Sequence, residues 1–565
     1  MKIAGFWSGH DCSFCILENG HPVVHAEYER YIREKEPLGD SINFLLEEYK
    51  EHDDIKHFVT CFPVKKITKY QESYQRAKQI VQKNDGKFYV FGHHQSHAAN
   101  AFFSSNLEKA LIITIDGGGH ESEDYTTAFT AWRGIGNKIY PIASFSIDQV
   151  NFGAVWTRAT RYIFNLQSGW PRGHQAGTVM AMAAVGDPNK YEKDFYRMLT
   201  TDLKLAMHKP AGQPKGANVG TDPKHPYLDR WAKIAKRSEQ DAFDLAAGLQ
   251  SATEKYLKDI IGQLIESEKD CKNICFSGGV VLNSVAMGKM FEWFPKIENI
   301  YVTPTPHDGG LTIGAAQYLW HHILENPRIK WEDNFTPYLG FTKNKVLETL
   351  KKYDNISHSN ISDDKVIELL DEQNIVAVFG GGSESGRRAL GNRSILADPR
   401  NPKMKEKIND KVKHRQWFRP FAPSILREEV SNWFETDKDS PYMNFVFKFK
   451  ESVKDKVPAV VHLNGTARLQ TVTKNDNEWY YNFIKKWYNK SNVPILLNTS
   501  LNDNPWYHGF ISRWEELYGV PIVLNTSFND REPICETATH AINCFLKTDI
   551  DYLYFYDHKI LVSKK

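Results

Sequence analysis

The stretch LIITIDGGG (111–119) gives the clearest indication of fold in the chain. Its apolar, β-branched half predicts a buried strand, and the aspartate with three glycines predicts that the strand ends in a loop open to close approach. A returning strand is predicted over residues 128–132. Strand, glycine loop and strand together indicate a ligand-binding edge of an α/β domain.

The N-terminus repeats this arrangement. Residues 3–6 and 12–17 predict two strands around a polar loop, and Asn19-Gly20 predicts a tight turn into a third strand over 21–27. The sequence SGG (277–279) supplies another glycine turn. We therefore predict an α/β fold with a duplicated core, whose glycine loops approach a phosphate-bearing ligand.

A second domain follows a change of composition between residues 333 and 360, where acidic and proline-containing stretches give way to a lysine-rich one. We place the domains at 1–350 and 351–565. In the second domain, residues 363–379 predict a helix with an acidic first turn, then a strand that enters a glycine triplet.

One internal repeat stands out in the second domain. Residues 483–503 align with residues 510–530 at a shift of 27, with 12 of 21 positions identical. Each copy contains Asn-Thr-Ser, at 498–500 and at 525–527. Because a repeat architecture needs at least three copies, we interpret the pair as a local duplication inside one domain.

The composition excludes several classes of protein. With 71 Lys and Arg against 69 Asp and Glu, the net charge of +2 predicts no polyanionic partner for the chain as a whole. Seven cysteines are too few for a disulfide framework at this length. The sequence shows neither an apolar run of about 18 residues nor a signal peptide, so we expect a cytoplasmic protein without membrane association.

A candidate metal site begins with His93 and His97, which stand at i and i+4 and share one face of a helix. Such a pair alone is weak evidence, because neighbouring histidines are more often packing detail. Two carboxylates strengthen it, since Asp116 ends a predicted strand and Asp308 stands beside two glycines. Two imidazoles with one or two carboxylates suit a single Fe(II), Mn or Zn ion with an open coordination position.

The second domain is rich in basic residues. They are Arg388, Arg393, Arg400, Lys413, Arg415, Arg419 and Arg468. Guanidinium groups bind phosphate and carboxylate oxygens through paired hydrogen bonds. Arg415 and Arg419 lie in or beside the apolar stretch WFRPFAP (417–423), where an unpaired cation is costly, so we expect them to meet an anionic ligand.

Across nearly its whole length the chain resembles the O-carbamoyltransferases that modify antibiotics and nodulation factors. In the first domain the matching segments are 9–11, 27, 29–30, 93–98, 116–117, 278–279, 282–283, 308–311 and 314–316. In the second they are ALGNRSILADPR (389–400), FRPFAPS (418–424), ARLQTV (467–472) and LNTSFN (524–529). The chain departs from the family pattern in having GRRAL (386–390) for the usual Gly-Pro-Arg-Ala-Leu and two Asn-Thr-Ser loops for one.

The resemblance implies an actin-like ATPase (RNase H-like) core, followed by an α/β domain like the one that forms threonylcarbamoyl-adenylate. The second domain would form carbamoyl-adenylate from carbamoyl phosphate and ATP with Mg. The first would transfer the carbamoyl group to an acceptor hydroxyl with the help of one divalent metal, Fe(II) in preference to Mn or Zn.

The resemblance also assigns roles to single residues. His93, His97, Asp116 and Asp308 would bind the metal, and the catalytic residues His10 and Asp11 would lie at the acceptor hydroxyl. Nucleotide at the transfer site would contact Gly117, Gly118, Gly278, Gly279, Asn283 and Gly309. Carbamoyl phosphate and ATP would be bound by Arg388, Lys413, Arg415, Arg419, Arg468, Asn525 and Ser527. Asn498 and Ser500 are the alternative to the last two, and the sequence slightly favours the second copy.

Other functions stay open, namely a threonylcarbamoyl transferase acting on tRNA and a kinase or ATPase of the same superfold. The acceptor is open as well. Residues 204–237 hold eight Lys or Arg against two Asp, with Tyr227 and Trp231 among them. They predict either a solvated insertion or a loop for a phosphate-bearing acceptor, such as a hydroxymethylated pyrimidine in a nucleotide or DNA; the other acceptor is a sugar hydroxyl. A homodimer is one of the open oligomeric states.

Overall fold

The computed structural model describes residues 1–63, 65, 68–166, 175–206, 228–268, 270–342, 344–502 and 533–565. These residues form two compact units. Unit 1 comprises Met1–Ile32 and Glu36–Phe335, and unit 2 comprises Arg33–Lys35 and Thr336–Lys565.

The units divide after Phe335, whereas the sequence places the boundary at 350. The segment that follows Phe335 is already bonded into unit 2, because the backbone N–H of Gly340 donates to the Ser383 carbonyl (3.0 Å). The N–H of Ser385 donates to the Pro337 carbonyl (2.5 Å). Composition carries no signal of such long-range backbone hydrogen bonds. The boundary predicted from composition, at 350, therefore differs from the boundary in the structure, after Phe335.

Unit 1 contains two five-stranded sheets within its described residues. The strands of the first are β1 (Lys2–Trp7), β2 (Ser13–Glu18), β3 (His21–Glu27), β4 (Ile55–Cys61) and β5 (Lys87–Phe91). Those of the second are β6 (Lys109–His120), β7 (Thr126–Ile135), β8 (Lys138–Ser146), β9 (Asn273–Ser277) and β10 (Asn299–Val302).

The two sheets share one topology, with orders β3-β2-β1-β4-β5 and β8-β7-β6-β9-β10. In each, the first three strands pair antiparallel, and the last two continue parallel to the first. The same order and the same strand directions in both sheets confirm the predicted duplicated core.

β6 extends further than the sequence predicts. A strand ending before Asp116 and a glycine loop after it were expected, but pairing with β7 continues to His120. The register shifts between Ile115 and Gly119, so Asp116 lies in a bulge. Gly118 has a φ of +137°, a value that side chains rarely allow, so these glycines permit a bulge inside the strand. The prediction of a loop is therefore wrong.

Helices cover both sheets of unit 1. They are α1 (Glu29–Ile32), α2 (Ser41–Glu48), α3 (Gln71–Lys83), α4 (His93–Phe103), α5 (Phe152–Arg158), α6 (Ala176–Ala183), α7 (Glu192–Leu199), α8 (Leu203–Ala206), α9 (Asp229–Ala235), α10 (Glu239–Ser267), α11 (Ser284–Trp293) and α12 (Leu311–Tyr318). α4 packs on β6 and β9, while α12 packs on β1, β2 and β4. Because α4 and α12 also pack on each other, they join the two sheets.

Unit 2 is built on a mixed sheet of nine described strands in the order β11-β19-β18-β12-β13-β17-β14-β16-β15. The strands are β11 (Ile356–Asn360), β12 (Val376–Phe379), β13 (Arg393–Ala397), β14 (Ala422–Leu426), β15 (Phe445–Lys448), β16 (Thr466–Val472), β17 (Ile495–Ser500), β18 (Tyr552–Phe555) and β19 (Ile560–Lys564). The helices are α13 (Val346–Leu350), α14 (Asp363–Asp371), α15 (Met404–Ile408), α16 (Val430–Trp433), α17 (Glu478–Ser491) and α18 (Ala538–Lys547). The helix and strand predicted over residues 363–379 are thus confirmed.

The described parts of the basic stretch 204–237 include α9 and the end of α8. Residues 207–227, with Tyr227, lie outside the described residues. Trp231 in α9 is buried and stacks on Phe195, with ring centroids 5.5 Å apart. The prediction of an exposed aromatic face at Trp231 is wrong, because the helical period turns this ring into the core. None of the described helices combines the length and apolar character that crossing a membrane requires.

Candidate metal centre

Two of the candidate ligands lie on the first turns of α4. Gly92 caps this helix, and its backbone N–H donates to the side-chain oxygen of Gln95 (3.2 Å). His93 and His97 are buried on one face, with ring centroids 4.8 Å apart. Gly119 leaves room for them, since a Cβ there would lie 2.1 Å from the His93 ring. The predicted helical face is confirmed.

Asp116 and Asp308 complete the cluster. The Nε2 atom of His97 lies 3.2 Å from Asp116 Oδ2 and 3.6 Å from Asp308 Oδ1. The Nε2 atom of His93 lies 3.6 Å and 3.4 Å from the same two oxygens. One ligand atom from each of the four residues falls within 4.8 Å of all the others. The structure thus brings together the four residues that the sequence singles out.

This donor set fits a divalent metal ion. Nε2 of His93, Nε2 of His97 and Oδ2 of Asp116 are buried and have no hydrogen-bond partner. Buried polar atoms are nearly always satisfied, so three such atoms that converge on one point indicate a cation between them. Two imidazole nitrogens and two carboxylate oxygens suit Fe(II), Mn or Zn.

Neighbouring groups orient the four side chains. The Nδ1 atom of His97 lies 3.1 Å from the Ser277 hydroxyl, which turns Nε2 toward the carboxylates. Asp116 Oδ1 accepts the backbone N–H of Gly117 (2.6 Å), which leaves Oδ2 for the centre. His94 differs from its neighbours, because its nitrogens meet the Thr114 hydroxyl (2.6 Å) and the Thr127 carbonyl (3.1 Å).

The two carboxylates of the centre favour positive charge on their neighbours. Burial by itself would lower the pKa of His93, but the carboxylates of Asp308 and Asp116 outweigh burial and raise that pKa to about 10. For His94, burial and the two neighbouring histidines lower the pKa to about 3. The charge of Asp116 also acts on His94, but burial and the neighbouring histidines outweigh it there.

His10 lies at the edge of the cluster, with a third of its side chain exposed. Its Nε2 is 3.2 Å from Asp308 Oδ2, and its Nδ1 is 3.0 Å from Asp11 Oδ2. Burial would lower the pKa of His10, but the charge of Asp308 and the hydrogen bond with Asp11 raise it to about 9. His10 is thus the polar side chain of this group that solvent reaches best, at 34% against 17% for Asp116 and 4% for His93.

Sequence reasoning missed a buried network that holds the Asp308 turn. His307 Nε2 lies 2.9 Å from Glu27 Oε1, and Glu27 also pairs with Arg30. His25 Nε2 lies 2.8 Å from the Gly309 carbonyl, which also accepts the Ser13 hydroxyl (2.9 Å). The only signal for this network was the family match at residues 27 and 30.

The residues predicted to bind nucleotide at this centre divide into two groups. The glycines are Gly117 and Gly118 in the bulge of β6, Gly278 and Gly279 after β9, and Gly309 next to Asp308. A Cβ at Gly278, whose φ is +99°, would lie 2.2 Å from the Ile115 carbonyl oxygen, so strand packing alone requires this glycine. Asn283 caps α11 through its bond from the Ala286 N–H (3.2 Å), and its amide pairs with Gln250. Nucleotide binding by this set stays a prediction.

In unit 2, the predicted ligands Lys413 and Ser500 meet. The Lys413 ammonium donates to the backbone carbonyl of Ser500 and to Asn502 Oδ1 (2.5 Å), and lies 3.5 Å from the Ser500 hydroxyl. Ser500 and Asn498 belong to the first repeat copy, which forms β17 between β13 and β14. Asn525 and Ser527 of the second copy lie outside the described residues.

The four predicted arginines of unit 2, Arg388, Arg415, Arg419 and Arg468, are all half-buried. Arg415 donates to Asn409 Oδ1 (2.7 Å) and the Pro420 carbonyl (3.2 Å) and lies over the Phe421 ring. An anionic ligand for Arg415 stays a prediction. Burial, together with the charge of Arg468, lowers the pKa of His462 to about 3.

Comparison with known proteins agrees with both units. The profile of the carbamoyltransferase N-terminus matches residues 60–317, and that of the carbamoyltransferase C-terminus matches residues 367–506 and 502–564. The chain belongs to the carbamoyltransferase family. It is therefore an enzyme that transfers carbamoyl groups, as the resemblance in its sequence predicts.

Individual relatives support this assignment. Nodulation protein NolO of Bradyrhizobium diazoefficiens is 32% identical over 478 residues, which cover 82% of this carbamoyltransferase and 77% of NolO. Nodulation protein U of the same species is 30% identical over 550 residues, 88% of this chain and 92% of that protein. A crystal structure of full-length HypF in a phosphate- and nucleotide-bound form superposes with a TM-score of 0.34 and 15% identity over 57% of this chain and 47% of HypF, a likeness too loose to carry an argument.

Proposed function

We propose that this carbamoyltransferase first forms carbamoyl-adenylate in unit 2 and then transfers its carbamoyl group to a hydroxyl acceptor in unit 1. The observation that carries the proposal is the cluster of His93, His97, Asp116 and Asp308, with its three buried atoms that lack hydrogen-bond partners and with His10 at its edge. A carbamate carbonyl is a poor electrophile, so the group needs an activated leaving group and electrostatic help.

In unit 2, hydrolysis of carbamoyl phosphate would release phosphate and carbamate, and a carbamate oxygen would then attack the α-phosphorus of ATP. The O–Pα bond to pyrophosphate breaks, and carbamoyl-adenylate and pyrophosphate result. Lys413, Arg419 and Arg468 would hold the phosphate oxygens, since ammonium and guanidinium groups suit that charge. ATP would bring Mg, and Ser500 and Asn498 would contribute the neutral hydrogen bonds.

In unit 1, the acceptor oxygen attacks the carbamoyl carbon, its proton leaves, and AMP departs. A divalent ion held by His93, His97, Asp116 and Asp308 would polarise the carbonyl and neutralise Asp308. Because the ion would offset the charge of Asp308 that raises the pKa of His10, a neutral His10 would take the acceptor proton at Nε2, while Asp11 holds Nδ1 and thereby fixes the ring. The exposed edge of His10 is where an acceptor hydroxyl can approach.

The acceptor is a hydroxyl compound, and the residues described here favour an uncharged or singly charged one. Trp231, which the nucleic-acid hypothesis needed as a stacking surface, is buried. Lys233 of the same helix pairs with Asp229 at 2.8 Å, which leaves less free charge for a phosphate backbone. A sugar hydroxyl therefore ranks ahead of a hydroxymethylated pyrimidine in DNA.

The test uses labelled carbamoyl phosphate with ATP and the metal-loaded enzyme. We expect AMP, pyrophosphate and phosphate in equal amounts, and mass spectrometry should show the gain of one carbamoyl group on a member of an acceptor panel. The panel contains sugars, hydroxymethylated nucleotides and hydroxymethylated DNA. Release of ADP would instead identify a kinase or ATPase, and AMP formation that depends on threonine would identify a threonylcarbamoyl transferase.

A further inference from the structure

Glu384 in unit 2 is a buried carboxylate that no prediction used. It follows β12 and is fully buried. Its Oε1 atom accepts three backbone N–H groups, from Leu390 (2.8 Å), Asn392 (2.9 Å) and Arg393 (3.1 Å). Its Oε2 atom is also buried but has no hydrogen-bond partner, and no described cation lies within ion-pair distance of Glu384.

Asn498 on β17 also has one polar atom with partners and one without. Its amide nitrogen lies within hydrogen-bond distance of the Ala389 carbonyl (3.2 Å), the Ser424 hydroxyl (3.0 Å) and Gln470 Oε1 (3.1 Å). Its Oδ1 atom is buried and has no partner. Leaving a buried acceptor unsatisfied destabilises a protein, and more so when the acceptor is charged, so each of the two oxygens requires an explanation.

The two residues that carry these oxygens belong to one hydrogen-bonded cluster. Oε1 of Glu384 accepts from Leu390, whose carbonyl accepts the Gln470 amide (2.9 Å), and Gln470 accepts in turn from Asn498. Tyr480 of α17 lies close to both residues. Burial raises the pKa of its hydroxyl, and the neighbouring Ser424, Glu384 and Asn498 also influence that pKa.

The cluster adjoins the predicted phosphate ligands. Asn498 and Ser500 are two residues apart on one strand and share a face, about 7 Å apart along the chain. Ser500 contacts the Lys413 ammonium, so its end of β17 is next to a cation. Asn498, two residues earlier on β17, lies at the end with the two oxygens that lack partners. A small ligand lying along it would place its phosphate at Lys413 and a group with N–H donors at Glu384 and Asn498.

We propose that Glu384 Oε2 and Asn498 Oδ1 bind the NH₂ group of the carbamoyl unit and so select carbamoyl phosphate over other acyl phosphates. The inference rests on the proposed function. A carbamoyl NH₂ offers two N–H donors, which matches two open acceptors, and an ionised carboxylate strengthens such a bond. The methyl group of acetyl phosphate has no donor, and binding it would leave the carboxylate oxygen unsatisfied.

The experiment measures pyrophosphate release from ATP with carbamoyl phosphate and with acetyl phosphate, in the full-length enzyme and in Glu384→Gln. Glutamine keeps the shape and one acceptor for the backbone N–H groups, but it turns an N–H donor toward the ligand. We expect kcat/KM for carbamoyl phosphate to fall about 10- to 100-fold, with little change for acetyl phosphate, so that discrimination collapses. Asp398→Asn is the matched control, because Asp398 is a buried carboxylate that pairs with Arg400.

The results separate the two proposals. An equal loss with both substrates in Glu384→Gln, as expected for Asp398→Asn, would show that Glu384 only supports the fold or holds a water molecule, and would overturn this inference alone. The unmodified enzyme gives a second check that does not depend on the folding of a variant. If it accepts acetyl phosphate as well as carbamoyl phosphate, no NH₂ site exists. If it releases pyrophosphate with neither, the proposed function fails as well.

Discussion

His94 and His97 provide a matched pair for testing the metal centre, because they are one helical turn or less apart, buried to the same degree and of one residue type. Only His97 directs Nε2 at the two carboxylates, with Asp116 Oδ2 at 3.2 Å. His94 uses both nitrogens on Thr114 and Thr127. Replacing each by alanine removes the same volume from the same helix, but only one replacement removes a ligand.

The expected magnitude follows from the number of ligands. A structural zinc site with four ligands binds with about 10–16 kcal/mol, so one ligand accounts for roughly 3 kcal/mol. His97→Ala should therefore weaken metal binding by about two orders of magnitude. An ion at a hundredfold excess over its Kd stabilises the fold by about 2.7 kcal/mol, and this contribution should be lost with His97. His94→Ala should cost about 1–3 kcal/mol through its two hydrogen bonds and keep the metal.

The assay combines elemental analysis with thermal melting before and after chelation. The unmodified enzyme and His94→Ala should contain one ion per chain and should lose stability when a chelator is added. His97→Ala should contain far less than one ion, and its Tm should not respond to the chelator. Equal metal content in the two variants, or an equal loss in both, would refute the assignment of His97 as a ligand.

Three further predictions concern other parts of the chain. Arg468→Ala should abolish pyrophosphate release while the metal content stays at one ion per chain, and an unchanged rate would remove Arg468 from the adenylation site. Asp363→Asn should lower the free energy of unfolding by about 1 kcal/mol at pH 7 and by less at acid pH, as urea titrations can show. Burial would raise the pKa of Asp363, but hydrogen bonds from Lys559 and Tyr554 lower it, so this stability is complete well above the unfolded pKa of about 4 and is lost progressively as the pH falls through the lower pKa of the folded state. Neutralising Lys236 and Arg237 should leave transfer to a neutral sugar unchanged, and a steep, salt-dependent loss would favour a nucleic-acid acceptor.

Local spacing in the sequence was enough to predict the elements that hold the site. The separation of His93 and His97 determines that they share a helical face, because 3.6 residues make one turn. The alternation of strands and glycine turns predicted the duplicated core for the same reason, since period and turn chemistry are properties of neighbouring residues. The glycines beside Asp308 made it a candidate ligand, and the family resemblance then assigned it to the same metal as the histidines.

Tertiary structure alone decided how distant groups meet. Asp116 and Asp308 reach the histidines because a bulge in β6 and the turn before α12 lie at one place between two sheets, which depends on strand register and not on spacing. Long-range contacts of this kind also determine four other features. They are the bulge in β6, the cap made by Asn283, the burial of Trp231 and the end of unit 1 at Phe335. The open oxygen of Glu384 is the extreme case. The sequence shows that residue 384 is a glutamate. Only the folded chain shows that its Oε1 atom already accepts hydrogen bonds and that its Oε2 atom accepts none.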